Sequence, residues 1–358
     1  MSISDFYNET LAATITIGSS NNSLSAQAVE DIRAITVLDD VTAPSMFTLE
    51  LDNWDGAAAA PSWSDDKNTF FPGQKVSISL GYVGQQLAVP IIEGEITSLE
   101  PIFRPTPSTM IVRGYDLRHR LLRGRKTKTF TNVMDSAMAQ KIIGAAGVAV
   151  QATASNVVHP YVVQHNQTDF AFLQERANRI GFELVAKGKT ILFRPRPIDK
   201  QAEITLTLGT DIIEFTPRLT TMAQVSEVVV KGWDITKKAA IVGTAKSGKE
   251  KAALGATLGP KATNSAFGST SASFTNSPVF NQAEADQMAI GRFNEMALDY
   301  IGGEGICRGR SDLKAGTIVA IEGMGDRYSG SYYITSVKHI WIKGGDYQLY
   351  FTYKRNAN

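Results

Sequence analysis

Val112-Arg113-Gly114-Tyr115-Asp116 closes a β-like run that opens at Met110, and the chain answers it at Val230-Lys231-Gly232-Trp233-Asp234. Self-similarity within one chain implies two copies of one structural unit. A second pair of texts agrees. Pro72-Gly73-Gln74-Lys75-Val76-Ser77-Ile78 is matched by Ala315-Gly316-Thr317-Ile318-Val319-Ala320-Ile321, and each leads on to Ile-Thr-Ser, at Ile96-Thr97-Ser98 and Ile334-Thr335-Ser336. The order differs between copies, since the first pair closes one copy and opens the other. Two similar β-barrels are the expectation, and cyclic symmetry would let three chains present six similar units.

Upstream of Asp116 the text is mostly β from Leu11 onward. Ala13–Ile17, Phe47–Leu51, Lys75–Leu80 and Ile91–Ile96 are short alternating runs rich in β-branched residues and broken by Gly, Pro, Asn and Asp. Ala57-Ala58-Ala59-Ala60-Pro61 and the polar residues after it read as an exposed loop, whose Trp54 and Trp63 suit a core cap or an interface.

Downstream the composition changes. Asp135–Ile143 and Asp169–Ile180 have helical spacing, Thr168 is placed to cap the second helix, and Gly181 ends it. Phe182–Ala186 and Thr190–Phe193 flank a Lys187-Gly188-Lys189 turn and predict a hairpin. β text resumes at Glu203–Leu208 and Ser226–Val230. Residues 245–280 are Ala, Gly, Ser, Thr and Lys with few large apolar side chains, so they read as a mobile insertion whose removal, at 248–278, should leave assembly intact. A helix over 283–300 and three closing strands follow. The chain is therefore expected to be α+β and mainly β, with a first barrel over 1–127, an inserted α+β domain over 128–200, and a second barrel over 201–358.

Composition sets the outer limits. The 358 residues are 43% hydrophobic and 20% charged, and 36 Lys+Arg against 35 Asp+Glu leave a formal charge of +1. That is a globular composition, with no general electrostatic pull toward nucleic acid or an anionic membrane. The lone Cys307 reads as a small buried hydrophobe. Met1–Phe6 lacks a cationic start followed by an apolar run, so no secretory leader is read, and synthesis in a bacterial cytoplasm is expected. Ile142–Val150 is too short to span a bilayer, so no membrane insertion is expected.

Motifs of catalysis are weak. Gly243-Thr244-Ala245-Lys246-Ser247-Gly248-Lys249 has the spacing of a phosphate-cradling loop, but Glu250 stands where a hydroxyl should hold magnesium. Glu93 and Glu95 share one strand face, as a glycosidase pair would, yet a wet face or barrel lining is the plainer reading. His159 and His165 lack a third ligand at metal spacing and read as loop or surface histidines, while His119 and His339 stand alone. No cofactor, metal or catalytic residue is predicted.

The densest charge is Arg113, Arg118, Arg120, Arg123, Arg125, Lys126 and Lys128. Such a cluster can dock on carboxylates of neighbouring chains, line a channel, or form a solvated face; stacking nucleic acid wants more aromatics than Tyr115 and Phe130, and no specific nucleic acid is expected.

The run from Val112 to Phe193 resembles the phage late control protein D family, contractile-tail baseplate hubs similar to the N-terminal part of VgrG. The text that carries it is Val112–Asp116, Leu117–Leu122, the basic Arg123–Phe130, Val163-Gln164-His165-Asn166-Gln167-Thr168-Asp169-Phe170-Ala171-Phe172-Leu173, and Arg179–Glu183. The resemblance implies a non-enzymatic homotrimeric hub with a pseudo-sixfold ring. Its partners would be further copies of itself, an inner tube or tube initiator, a trimeric spike and baseplate wedge proteins. VgrG-type chains continue into a spike, whereas this sequence stops at Asn358, so the spike is expected on a separate chain. The rival reading is a β-rich cell-wall hydrolase or carbohydrate-binding protein carried on a tail.

Overall fold

The computed structural model describes residues 10–358 apart from 19, 86, 88 and 106. The opening segment read above as lacking a leader lies outside the described residues. The first half comprises β1 (Leu11–Ile17), β2 (Asn22–Ser23), α1 (Ala26–Asp31), β3 (Ile32–Asp40), β4 (Met46–Asp52), β5 (Lys75–Tyr82), β6 (Ile92–Ile102) and β7 (Thr109–Asp116). A 3-10 turn at Leu117–Leu122 leads to β8 (Lys126–Met134), α2 (Asp135–Ala145), β9 (Ala149–Ala152), β10 (Val158–Gln167), α3 (Asp169–Arg179), β11 (Phe182–Lys187) and β12 (Thr190–Pro195). The rest contains β13 (Ile204–Thr207), β14 (Ile212–Leu219), β15 (Glu227–Asp234), β16 (Ala239–Lys246), α4 (Gly259–Phe267), β17 (Ser271–Phe274) and α5 (Gln282–Leu298). It closes with β18 (Ile301–Arg308), β19 (Ile318–Glu322), α6 (Gly325–Tyr328), β20 (Gly330–Ile342) and β21 (Tyr347–Arg355).

The sequence points to two barrels; the strands pair as one thirteen-stranded sheet, ordered β14-β18-β21-β20-β3-β4-β7-β6-β5-β1-β2, with β19 and β13 continuing from β20. The halves meet where β20 pairs antiparallel with β3, Val37 opposite His339 and Ile35 opposite Trp341. Strand alternation builds the core. Phe47, Leu49 and Leu51 of β4, and Tyr347, Leu349, Phe351 and Tyr353 of β21, are buried, while the residues between them face outward. Each such side chain contributes about 1.5–3 kcal/mol of apolar burial.

The two halves of the sheet repeat. β3-β4-β7-β6-β5 corresponds to β14-β18-β21-β20-β19, in the same chain order, with the β15-to-α5 segment inserted between β14 and β18. Row for row, Ile96–Gly114–Phe47–Val37 answers Ile334–Tyr353–Gly303–Pro217. Irregularities recur at the same places: register shifts fall between Ile96 and Ser98 and between Ile334 and Ser336, and again between Ile32 and Ala34 and between Ile212 and Glu214. The Gly73 N–H donates to the Ile96 carbonyl at 2.8 Å, and the Gly316 N–H donates to the Ile334 carbonyl at 2.9 Å. Both glycines have positive φ, 90° and 77°, where a side chain is strained. The Pro72–Ile78 and Ala315–Ile321 texts thus occupy equivalent strands. The Val112–Asp116 pairing does not: β7 lies inside the large sheet, whereas Val230–Asp234 lies in β15, the middle of a separate sheet β16-β15-β17. Its likeness follows from a shared strand-end pattern of valine, glycine, aromatic and aspartate, and the copy of β7 is β21.

The segment over 126–195 packs α2 and α3 against β8–β10 and β11-β12-β9 around Leu121, Met138, Ile143, Phe172, Leu184 and Phe193. The Thr168 hydroxyl caps α3 by accepting from the Ala171 N–H at 3.1 Å, and Gly181 at φ +70° follows its end.

Residues 245–280 are not a loop with little to pack. They contain α4 and β17, and β17 pairs in parallel with β15. Leu254 and Val279 are buried. Backbone bonds from Ala256 and Thr257 to the Asn358 carbonyl, and from Gly259 to the Asn356 carbonyl, clasp the chain end. Small residues here allow close backbone approach instead of mobility: a Cβ on Gly255 would fall 3.0 Å from the Asn358 carbonyl oxygen.

Candidate interaction surface

The seven basic residues divide. Arg118 is buried and belongs to no outer surface. Its guanidinium donates to Asp116 Oδ2 from Nε at 2.9 Å, to the Leu184 carbonyl from Nη1 at 2.9 Å, and to the Asp40 carbonyl and Ser45 Oγ from Nη2 at 2.9 Å each. One side chain therefore ties the 3-10 turn, the first sheet and β11 together. This corrects its assignment as an inter-subunit or channel contact, because a buried guanidinium needs every donor met internally. Arg113 pairs with Glu100 at 3.0 Å, Arg120 with Glu95, and Lys126 with Asp169. Arg125 donates to the Asn166 carbonyl at 2.9 Å. The side chains of Arg123 and Lys128 are exposed and make no hydrogen bond or ion pair among the described residues. Arg123, Arg125 and Lys128, around one end of β8, are the exposed remainder of the cluster.

Glu95 is buried at the base of the cleft that Glu93 also lines. Burial raises its carboxyl pKa, but hydrogen bonds from Arg120 and His119 outweigh that and hold it below the usual range. Glu93, half-buried on the same strand, shares a cleft with Lys75, Arg120 and Lys189.

His159 is not a surface histidine: it is 1% exposed. Nε2 lies 3.0 Å from Asp135 Oδ2, and Nδ1 lies 3.2 Å from Glu284 Oε1, so its ring bridges the α2 N-terminus to α5. Arg179 Nη2 donates to Glu284 Oε1 at 3.0 Å. Burial lowers the imidazole pKa, yet the two carboxylates prevail and raise it. His119 and His339 have partners as well. His119 Nε2 is 2.9 Å from Glu95 Oε2, and His339 Nδ1 is 2.8 Å from the Tyr347 hydroxyl. Burial drives His339 down to about 3 and Cys307 up to about 12, so the first is neutral and the second an unreactive thiol.

The Gly243–Lys249 text ends β16 in a turn, not in a strand-to-helix phosphate loop. Among the described residues, no three His, Cys, Asp or Glu groups are set to hold a metal, and no helix is long and apolar enough to cross a membrane. Trp63 caps the core against Phe70, ring centroids 5.9 Å apart, while Trp54 is exposed.

The sheet also has open edges. Among the described residues, β14 pairs with β18 and otherwise makes a single bridge, from Ile212 to Leu208, and on the side of β6 that takes β5 the backbone bonding ends at Ile96. Pro101 and Pro217 lie on these two edges. A proline inside β text was the available signal, because it fits only where its missing N–H faces away from a partner.

The family model of the Alg8 N-terminal domain matches residues 9–342. No curated protein matches the chain. A 43 kDa tail protein of prophage MuSo2 from Shewanella oneidensis has the same fold, with a TM-score of 0.68 at 14% identity over 97% of this chain and 99% of that one. A tail protein from Neisseria meningitidis gives a TM-score of 0.68 at 13% identity, over 97% of each chain. An Escherichia coli component of the type VI secretion system, described as similar in structure to T4 bacteriophage tail proteins gp27 and gp5, gives 0.61 at 13% identity, over 96% of this chain and 77% of that one.

Proposed function

This chain belongs to the Alg8 N-terminal domain family, and from its likeness in fold to tail proteins we propose that it is a structural, non-enzymatic baseplate hub of a contractile tail or injection particle. In this reading three copies form a ring of six similar units, which adapts a sixfold inner tube to a threefold spike. The ring's partners are the tube or its initiator, the spike and the surrounding wedge proteins, as the resemblance to late control protein D implies.

The internal repeat carries this proposal. One chain already holds two copies of a five-stranded unit edge to edge through β3 and β20, so a threefold assembly presents six. The buried polar joints fit this reading, since Arg118 ties the α+β segment to the first sheet and His159 ties it to α5. The exposed Arg123, Arg125 and Lys128 are the proposed contacts to a neighbouring chain or the channel.

Electron microscopy of the purified chain, classified without imposed symmetry, tests the proposal. Rings of three chains with six similar lobes are expected. Turnover of peptidoglycan or glycan by the same preparation would replace the hub with the hydrolase reading.

A further inference from the structure

The internal junction between the halves is a template for the junction between copies. In the β3–β20 ladder, the Val41 N–H donates to the Thr335 carbonyl at 3.1 Å and the Lys343 N–H to the Arg33 carbonyl at 2.9 Å. Hydrogen-bonded pairs alternate in an antiparallel ladder, so Val37 and His339, two steps along at each remove, are also such a pair. The repeat carries β20 onto β6, with His339 on Pro101, and β3 onto β14, with Val37 on Pro217. The edge of β20 that takes β3 is filled within the chain. Its counterpart on β6, over Thr97–Ile102, and the counterpart edge of β14, over Glu214–Leu219, are both unpaired among the described residues.

We propose that β14 of one copy docks antiparallel on the Thr97–Ile102 edge of β6 in a second copy, Pro101 opposite Pro217, in the register of the internal junction. This deepens the hub reading above and rests on it. The side chains that this register brings together match. Glu100 meets Arg218 and Arg104 meets Glu214, both opposite-charge pairs, and Leu99 meets Leu219. Arg104, Glu214 and Arg218 are exposed in the single chain. Phe103 meets Phe215 at the place where the internal junction buries Trp341 against Ile35. Trp341 is 6% exposed, whereas Phe103, its counterpart, is 66% exposed and without a cover. Docking of the second copy would give Phe103 the cover that the repeat gives Trp341.

The seam differs from the internal junction at its centre. Two prolines face each other where two N–H donors would be needed, so the ladder is interrupted and side chains hold the copies together. That guards both edges against open-ended strand pairing while leaving the matched pair compatible.

Opposed residues at a non-hydrogen-bonded site have Cα atoms about 4.5 Å apart, within disulfide reach, and Glu100 and Arg218 are at such a site. Mixing a Glu100→Cys chain with an Arg218→Cys chain under mild oxidation should give a two-chain cross-link, neither variant should give it alone, and the double variant should close into a three-chain band. Arg104→Glu should weaken self-association roughly threefold to tenfold, and adding Glu214→Arg should restore it. Self-association by light scattering without the cross-link, or without charge-swap rescue, overturns the seam and leaves the hub reading standing. A chain that stays monomeric at every concentration overturns the ring and the seam together.

Discussion

Phe47 lies across Gly114 so closely that a Cβ on the glycine would come 2.3 Å from its ring. The repeat reverses the pair: in the second half Tyr353 supplies the ring and Gly303 the space, where a Cβ would fall 2.7 Å from the tyrosine hydroxyl. The same slot is filled from opposite sides, which preserves volume while exchanging large for small. Gly114→Ala should therefore destabilise the chain by about 1–3 kcal/mol through overpacking. Denaturant unfolding would measure it, and Phe47→Leu in the same chain should recover part of the loss; no recovery would assign the cost to the backbone at Glu95, whose carbonyl is equally near.

Stability should fall on both sides of a pH window set at the His159 joint. The imidazole pKa is raised above its unfolded value, so the contribution is fully present below about pH 6.5 and is lost as pH rises through the folded value. Burial raises the Asp135 and Glu284 carboxyls, but His159 and the nearby arginines outweigh it and hold both below the ordinary range, so their contribution is present above about pH 4 and lost as pH falls through their folded values. Melting temperature scanned from pH 6 to 9 should drop in the native chain, and His159→Gln should flatten that slope while lowering the value at pH 6. An unchanged slope in the variant would place the alkaline titration elsewhere.

Arg118→Met should cost about 3–5 kcal/mol, because Asp116 would remain as a buried charge stripped of its main partner. The double change Arg118→Met/Asp116→Asn should recover a good part of this, a pattern that a surface contact would not produce. Chemical denaturation of the two variants decides it.

Deleting residues 248–278 should abolish soluble protein. The cut removes α4, β17 and the backbone bonds that hold Asn356 and Asn358. Circular dichroism of any surviving product is the check, and a native spectrum would show that β15 and β16 need no third strand.

Much of this architecture was legible residue by residue. Thr168, Gly181 and Gly188 each announce their element because a cap or a positive φ is a local demand that one residue meets. The Ile-Thr-Ser repeat was legible for the same reason, as it marks a register shift that the backbone must absorb in both copies. What stayed hidden was non-local. His159 and Glu95 look like ordinary polar residues until α5 and the 3-10 turn close over them, and the basic run gives no sign of which of its members find partners inside. The 245–280 segment misled because small residues serve close backbone contact as readily as disorder, and only the far chain end distinguishes the two.

Charge reversal at Arg123 and Arg125 should weaken assembly without altering the fold. Both guanidiniums are exposed, and Arg125 holds only the Asn166 carbonyl, so Arg123→Glu/Arg125→Glu removes little that the single chain uses. Exposed charges at an interface act mainly on encounter rate and register, and that contribution fades with ionic strength. The expected outcome is an unchanged melting temperature with slower ring formation at low salt, the difference from native shrinking as salt is raised toward ~1 M. Light scattering at two ionic strengths measures both. Equal assembly at low salt would return these residues to a solvated face and leave the sheet edges as the sole contacts between copies.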